Sequence, residues 1–338
     1  MEALLIERWL RDLDTTPVID EASVSLVRER VRAMGAAAGL PEDATASLVT
    51  AASELGHNQL AHARGGRVAV RLVHREADVG VEVVAADQGD GIADPATALR
   101  GGGVSTTGLG IGLAGVLSLA DEVDLDVRLR EGTCVWARKF KSRARRRRSV
   151  GVFGRPIEGE RVSGDDTGFV RTGDGLLLAL ADGLGHGPEA RIASALSIDV
   201  ALEAPAAPLD DVIESVHERI KKTRGSVLGM LRMDESGAFE ATIVGNIVGQ
   251  VLGRHGASRR LGGLSRALGT PGPVRRARVD REALGPLEVV ALYSDGLSSH
   301  GVLGQDDALL RAHPIVVAQH LLTRFASNRD DALVAVVS

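Results

Sequence analysis

Residues 139 to 154 read KFKSRARRRRSVGVFG, and positive charge at that density cannot enter a hydrophobic core. Like charges this close repel one another, so the segment is expected on the surface, as a linker or exposed edge, or as a patch that docks anions. It divides the chain of 338 residues into 1 to 140 and 151 to 338, with a basic linker over 141 to 150. The length suits two domains. Hydrophobic residues make up 44% of the chain and aromatic ones only 2%, so both cores must be built from Ala, Val, Leu and Ile. A formal charge of −5 gives the whole chain no case for nucleic acid as a partner. One cysteine, Cys134, excludes an internal disulfide and a cysteine-based metal cluster. No apolar run reaches the roughly 18–20 residues of a membrane helix. The N-terminal MEALLIERWLRDLD lacks the basic start and cleavage site of a signal peptide. The expectation is a cytoplasmic protein with no membrane partner, compatible with a homodimer.

In the first part, Ile19 to Gly39 reads as a helix, with Val24, Val27, Val31 and Met34 at helical spacing. Pro41 opens a second helix, Glu42 to His62, which ARGG closes. RVAVRLVHR and DVGVEVVAAD alternate as strands; a loop rich in Gly, Ser and Thr then runs from Asp90 to Thr107. GLGIGLAGVLSLAD reads as a third helix, and VDLDVRLREGTCVWARKF as a closing hairpin, which together make an α/β sandwich. In the second part the strand-like runs are LLLALAD, SVLGMLRM, FEATIVGNIVGQVLG, LEVVALYSD and DALVAVVS. Helical stretches, Pro188 to Glu203 and Leu209 to Thr223, lie among them, which predicts an α+β sandwich.

The first part carries four short motifs in order. SELGHNQLAHA places Glu54 and Asn58 four apart, side by side on one helix face. A carboxylate beside an amide oxygen can orient or deprotonate a hydroxyl while holding Mg²⁺. VEVVAADQGDGI ends a strand on Asp87, with Gly89 and Gly91 following. That carboxylate can accept from an exocyclic amine, and the glycines let a flat ring approach the backbone. GLGIGL begins a helix, where bare N–H groups favour an anion. REGTCVWARKF then sets Gly132 and Thr133 at a hairpin. Taken singly, each motif is also an ordinary helix face, turn or glycine-rich helix start.

Taken together, E-x-x-x-N, D-x-G-x-G, G-x-G-x-G and G-T resemble the GHKL ATP-binding fold over about residues 18 to 140. The likeness is greatest to the serine kinases of bacterial stress and sporulation control, the anti-sigma and stressosome switch kinases. It implies Glu54 as catalytic base, Asn58 as Mg²⁺ ligand and Asp87 as adenine reader. Gly89, Gly91, Gly108, Gly110, Gly112 and Thr133 would frame the ATP, with Asp94 to Thr107 as a short lid. No phospho-accepting histidine helix pair precedes the motifs, which argues against a sensor histidine kinase.

The second part repeats one theme: apolar strands whose ends carry aspartate. LLLALAD stops at Asp182 before Gly183; YSDG ends another strand on Asp295; NRDDALVAVV opens a third with Asp330 and Asp331; SGDD precedes them with Asp165. A carboxylate at a buried strand end costs several kcal/mol unless it is paired or bound to metal. Oxygen ligands with charge on rigid strands suit hard divalent ions, although D-G alone is also a common turn. GERVSGDD, ADGLGHGPEA, GNI and YSDGL resemble the SpoIIE-like branch of the PPM-type metal-dependent protein phosphatases, over about residues 150 to 338. The resemblance implies that Asp165, Asp182 and the Gly183 carbonyl hold two Mn²⁺ or Mg²⁺ ions, with Asp295 and Asp330 completing the second site. The double Asp leaves Asp330 and Asp331 competing for that role. His186 would be an acid or only a support beside the metal ligands, and the helix from Pro188 would be a control helix.

The combined expectation is a kinase and a phosphatase on one chain, acting on a phosphorylatable STAS-type antagonist protein. Two rival expectations are a phosphatase governed by a non-catalytic ATP sensor and a binding protein that sequesters a partner without chemistry.

Overall fold

The computed structural model describes residues 4–63, 65–75, 78–101, 112–142, 148–173, 175–256, 258–274, 277–298 and 307–338. The chain divides into two units, Met1–Val150 and Gly151–Ser338.

The first unit opens with α1 (Leu4–Leu10) and β1 (Thr15–Val18), neither expected from the sequence. α2 (Glu21–Ala38) is closed at its start by a capping box: the Asp20 carboxylate accepts from Ser23 N–H, and Ser23 Oγ accepts from Asp20 N–H. Gly39 ends the helix in the left-handed region, φ 65°. Val24, Val27 and Val31 are buried as the spacing predicts, but Met34 is only half-buried, and Gly35 and Ala38 continue the buried stripe. α3 (Glu42–His62), β2 (Gly66–Arg75), β3 (Asp78–Asp87), α4 (Pro95–Leu99), α5 (Gly112–Leu119), β4 (Glu122–Arg128) and β5 (Gly132–Phe140) follow. The strands lie in the order β1-β2-β3-β5-β4, each pair antiparallel.

Helices α2 and α3 cover one face of this sheet. The register aligns Glu82, Arg138 and Glu122, then Val84, Trp136 and Asp124, on the other face. Alternation such as VDLDVR usually marks a strand with one wet face; here Asp124 and Asp126 are fully buried. Cations make that tolerable. Arg138 donates to Glu82 and Asp124, and Arg128 donates to Asp126. Burial pushes the Glu82 carboxyl up, but the Arg138 and Arg71 guanidiniums outweigh it and hold it below its ordinary range. Trp9 of α1 meets Trp136 edge to face at 4.6 Å and donates to Asp126 at 2.9 Å. Trp9→Phe should therefore cost about 1.5–3 kcal/mol, the worth of a hydrogen bond to a charged group. A urea unfolding midpoint that does not move would refute this tie.

The second unit contains β6 (Val150–Arg155), β7 (Asp165–Thr172), β8 (Gly175–Gly183), α6 (Pro188–Glu203), α7 (Leu209–Arg219), β9 (Ser226–Asp234), β10 (Ala238–Val244), β11 (Val248–Leu252), β12 (Ser258–Arg260), β13 (Gly263–Leu264), β14 (Asp280–Ala283), β15 (Val289–Tyr293), α8 (Asp307–Arg311), α9 (Pro314–Phe325) and β16 (Ala332–Val337). One sheet runs β13-β10-β9-β8-β7, with β14 beside β10, and the other runs β6-β16-β15-β11-β12. Leu177, Ala179 and Ala181 of β8 pack with Ile198, Val212, Ile213 and Val216 of α6 and α7. Their neighbours Leu178 and Leu180 are fully buried on the opposite side of the strand. Both faces of β8 are covered, which is why its sequence is a continuous apolar run.

Two expectations need correction. FEATIVGNIVGQVLG is not one strand: Gly245, at φ 91°, turns the chain so that β10 and β11 enter different sheets. The basic segment 139–154 is also not on the surface throughout. Residues 143–147 lie outside the described residues, whereas Val150, Val152 and Phe153 are buried in β6.

Candidate active sites

In the first unit, a cavity of about 490 Å³ opens beside α3. Asn58, Asp87, Gly91, Gly112 and Thr133 line it, so five of the residues singled out in the sequence meet there. Asp87, at the end of β3, accepts at Oδ1 from the N–H groups of Gly89 (2.8 Å) and Thr133 (3.1 Å). Its other oxygen accepts no hydrogen bond among the described residues and can serve a ligand amine. Burial holds the Asp87 carboxyl above its ordinary range, and the two N–H bonds oppose that shift. Gly91 has φ 76°, and a Cβ there would lie 2.8 Å from the Arg128 carbonyl, so only glycine lets this loop close on the hairpin.

Glu54 stands apart. It is 2% exposed, does not line the cavity, and accepts at Oε2 from the N–H of Gly112 (3.1 Å), the first residue of α5. It therefore fixes the start of the helix that borders the cavity. Gly108 and Gly110 lie outside the described residues, as does the lid from residue 102 to 107. The earlier part of the lid is α4, capped by Asp94, whose carboxylate accepts from the N–H and hydroxyl of Thr97.

In the second unit, Asp165 and Asp182 stand directly opposite each other in the β7–β8 ladder. Strand alternation sends Asp166 to the other side, where the Arg191 guanidinium of α6 lies 3.4 Å away. Asp165 is buried and accepts from the Ser294 hydroxyl at 2.6 Å. Asp295 follows Ser294 at the exposed rim, accepts from the Asn246 amide, and shares a hydrogen bond with Asp182. Asn246 and Ser294 were assigned no role from the sequence, although GNI and YSDG contain them.

The two consecutive aspartates before β16 do different things. Asp331 accepts at Oδ1 from Ile157 N–H and at Oδ2 from Gly164 N–H, both at 2.7 Å, and so ties two loops together. Asp330 is half-buried and accepts from the Asp331 N–H at 2.9 Å. Gly183 and Gly296 allow the close packing: a Cβ on the first would strike the Ala190 carbonyl, and on the second the Asp331 carbonyl. His186 lies in the exposed loop, 3.4 Å from Glu160.

Burial, then Asp182, push the Asp165 carboxyl well above the ordinary range. For Asp182 the causes are burial, then Asp295, Asp330 and Asp331, and its pKa rises from 3.8 to about 8. Charge packed this way calls for a cation, and the donors are all oxygen, the set that Mg²⁺ and Mn²⁺ prefer. Among the described residues no three carboxylates already surround one point. Without a cation, burial and the neighbouring carboxylates favour a protonated Asp182. Metal entry would displace that proton.

This has a sign. The folded chain keeps the Asp182 proton up to about pH 8, whereas the unfolded chain releases it near 3.8. The site's contribution to stability is therefore full below the lower value and is lost as pH rises towards the upper one. Metal-free protein in EDTA should melt several degrees lower at pH 8 than near pH 6, and Mn²⁺ should restore more at pH 8. Calorimetry showing the same Mn²⁺ shift at both pH values would count against the proton on Asp182.

A second cavity of about 480 Å³ borders Thr172 and Gly175, at the other end of the β7–β8 hairpin from Asp165 and Asp182. It is remote from the carboxylates.

Residues 19–139 match the model of the histidine kinase-like ATPase domain. Over 131 residues the chain is 30% identical to the serine/threonine-protein kinase RsbT of Bacillus subtilis (strain 168), covering 39% of this chain and 98% of that protein. A chain solved in work on the bacterial stressosome, as a modular system adapted to control secondary messenger signalling, is 27% identical. It covers 56% of this chain and 98% of its own length at a TM-score of 0.51. The RsbX structure in complex with magnesium is 21% identical, covering 57% of this chain and 96% of its own, at a TM-score of 0.49. No helix among the described residues is long and apolar enough to cross a membrane.

Proposed function

This chain belongs to the family of the serine/threonine-protein kinase RsbT through its GHKL-type ATPase domain, and on that premise we propose a two-headed switch enzyme whose second unit is a PPM-type phosphatase. Residues 1 to 140 phosphorylate a serine or threonine of a STAS-type antagonist protein, and residues 151 to 338 remove that phosphate, with 141 to 150 as linker. The observation that carries the reading is the convergence of Asp165, Asp182, Asp295 and Asp330 at the strand ends of one sandwich, where burial and mutual repulsion favour a cation.

In the phosphatase half, bound Mn²⁺ or Mg²⁺ would supply a water nucleophile at neutral pH and neutralise phosphoryl charge. Asp165, Asp182, Asp295 and Asp330 would hold the ions, with the Gly183 carbonyl as a further ligand. Asp331 positions: its two backbone bonds keep the Ile157 and Gly164 loops against the start of β16. Ser294 holds Asp165, and Asn246 holds Asp295. In the kinase half, the cavity beside Asn58 would hold ATP, with Asp87 accepting from the adenine amine. Asn58 would hold Mg²⁺, and Glu54 would serve as general base. Asn58→Ala should weaken ATP·Mg²⁺ binding about tenfold, the loss of one charge-assisted contact. Titration calorimetry showing parental affinity would remove Asn58 from the metal.

The two heads gain from one chain if they serve one site, because a short linker keeps a shared client at high effective concentration. Phosphosite mass spectrometry of a captured partner tests this. The Asp182→Asn variant should accumulate phosphate at one residue, and Glu54→Ala should clear that same residue. Two different residues responding would refute the cycle. One observation favours a second reading, an ATP sensor without transfer: Glu54 is buried against Gly112 rather than lining the cavity.

A further inference from the structure

Among the described residues, the exposed large apolar side chains are Ile19, Leu26, Leu72, Leu184 and Ile192. Scattered single examples are ordinary on any surface. Leu184 and Ile192, however, flank one loop. Leu184 is 37% exposed and lies two residues after Asp182; Ile192 is 61% exposed on α6. The helix buries Ala190, Arg191, Ala193 and Ser194, which leaves Ile192 on its outward face with Glu189 one turn before it. Glu189 pairs with Arg224, whose guanidinium also lies against Gly185, and Leu184 N–H donates to the Gly225 carbonyl at 3.0 Å. Loop, helix and the turn at 224–225 are therefore tied together, with Leu184 two residues beyond Asp182 in the chain.

We infer that this surface docks the protein substrate, by receiving the apolar side chains that flank its phosphoserine or phosphothreonine. The inference rests on the phosphatase reading above. A phosphate held at Asp182 leaves the substrate backbone only a few ångströms away, and an extended chain advances about 3.3 Å per residue. Its next two residues on one side must cross the loop that carries Leu184. Glu189 pairs with Arg224 and Glu160 faces His186 at 3.4 Å, so the charged side chains around Leu184 and Ile192 are engaged with each other and leave the apolar flank as the feature a substrate can use. Ile192 contributes little to the fold while exposed, and Leu184 leaves over a third of its surface open. Covering them with substrate adds the burial they forgo.

The test compares three substrates with Mn²⁺: p-nitrophenyl phosphate, a phosphoserine peptide with leucine at the flanking positions, and the same peptide with alanine there. The protein should prefer the leucine peptide about tenfold in kcat/KM, as expected for one or two apolar contacts. Ile192→Ser and Leu184→Ser should each bring that ratio towards one while leaving p-nitrophenyl phosphate turnover unchanged. A ratio that survives both substitutions, with the small ester still hydrolysed, overturns the docking surface alone. A dimer that Ile192→Ser dissociates in sedimentation, with the ratio intact, overturns it too and assigns the patch to a second copy of the chain. No hydrolysis of any of the three substrates overturns the docking surface together with the phosphatase reading.

Discussion

Asp182→Asn is expected to lower Mn²⁺-dependent hydrolysis of p-nitrophenyl phosphate by about a thousandfold, close to what EDTA does to the parent protein. Asparagine keeps the shape and removes the charge. The electrostatic work asked of a metal centre is several kcal/mol, and about 4 kcal/mol is a thousandfold in rate. Folding should not explain the loss. Asp182 faces Asp165 across the ladder and is crowded by Asp295, Asp330 and Asp331. Removing its charge relieves repulsion, so the variant without metal should melt at or above the parent's temperature at pH 8. Loss of rate with stability retained is the signature of a ligand. Parental rates in Asp182→Asn would sink the two-metal reading, and loss of both rate and stability would make Asp182 a structural residue.

The strand ends were legible because their signal is local. An apolar run that stops on aspartate is visible in LLLALAD and in YSD without knowing which strands are neighbours. The partition of duties was not legible, because it depends on register and on long-range hydrogen bonds. Nothing in SGDD says that Asp165 faces Asp182 while Asp166 faces Arg191 until β7 and β8 are paired. Asp331 is distinguished from Asp330 only by N–H groups at Ile157 and Gly164, more than 160 residues earlier in the chain. Ser294 and Asn246 look like turn residues until Asp165 and Asp295 arrive beside them.

The same contrast holds for the fold. Helix α3 could be bounded from Pro41 and the following glycines because punctuation is local. The split of FEATIVGNIVGQVLG between two sheets could not, because Gly245 reads as any strand glycine until its positive φ is known. The buried face of VDLDVR was hidden for a different reason. Its aspartates are tolerable inside only because Arg138, Arg128 and Trp9 reach them from other elements.

Glu54→Ala is expected to leave ATP binding within a few-fold of the parent and to cut phosphotransfer by about 10²–10⁴, the usual contribution of a positioned base. The geometry makes this a demanding test. Glu54 accepts from Gly112 N–H at the start of α5, so its carboxylate also supports the helix that borders the cavity. Were that support its main duty, alanine would free the helix start and weaken ATP binding, whereas the loss of a base alone leaves affinity nearly intact. Glu54→Gln separates the two: its amide oxygen can still accept from Gly112, but it cannot take a proton. The base assignment therefore requires that Gln bind ATP as the parent does and transfer as poorly as Ala. If Gln transfers normally, Glu54 is a positioning residue. If the parent itself transfers nothing to any partner while binding ATP, the first unit is a nucleotide sensor, and the phosphatase half is the enzyme it reports to.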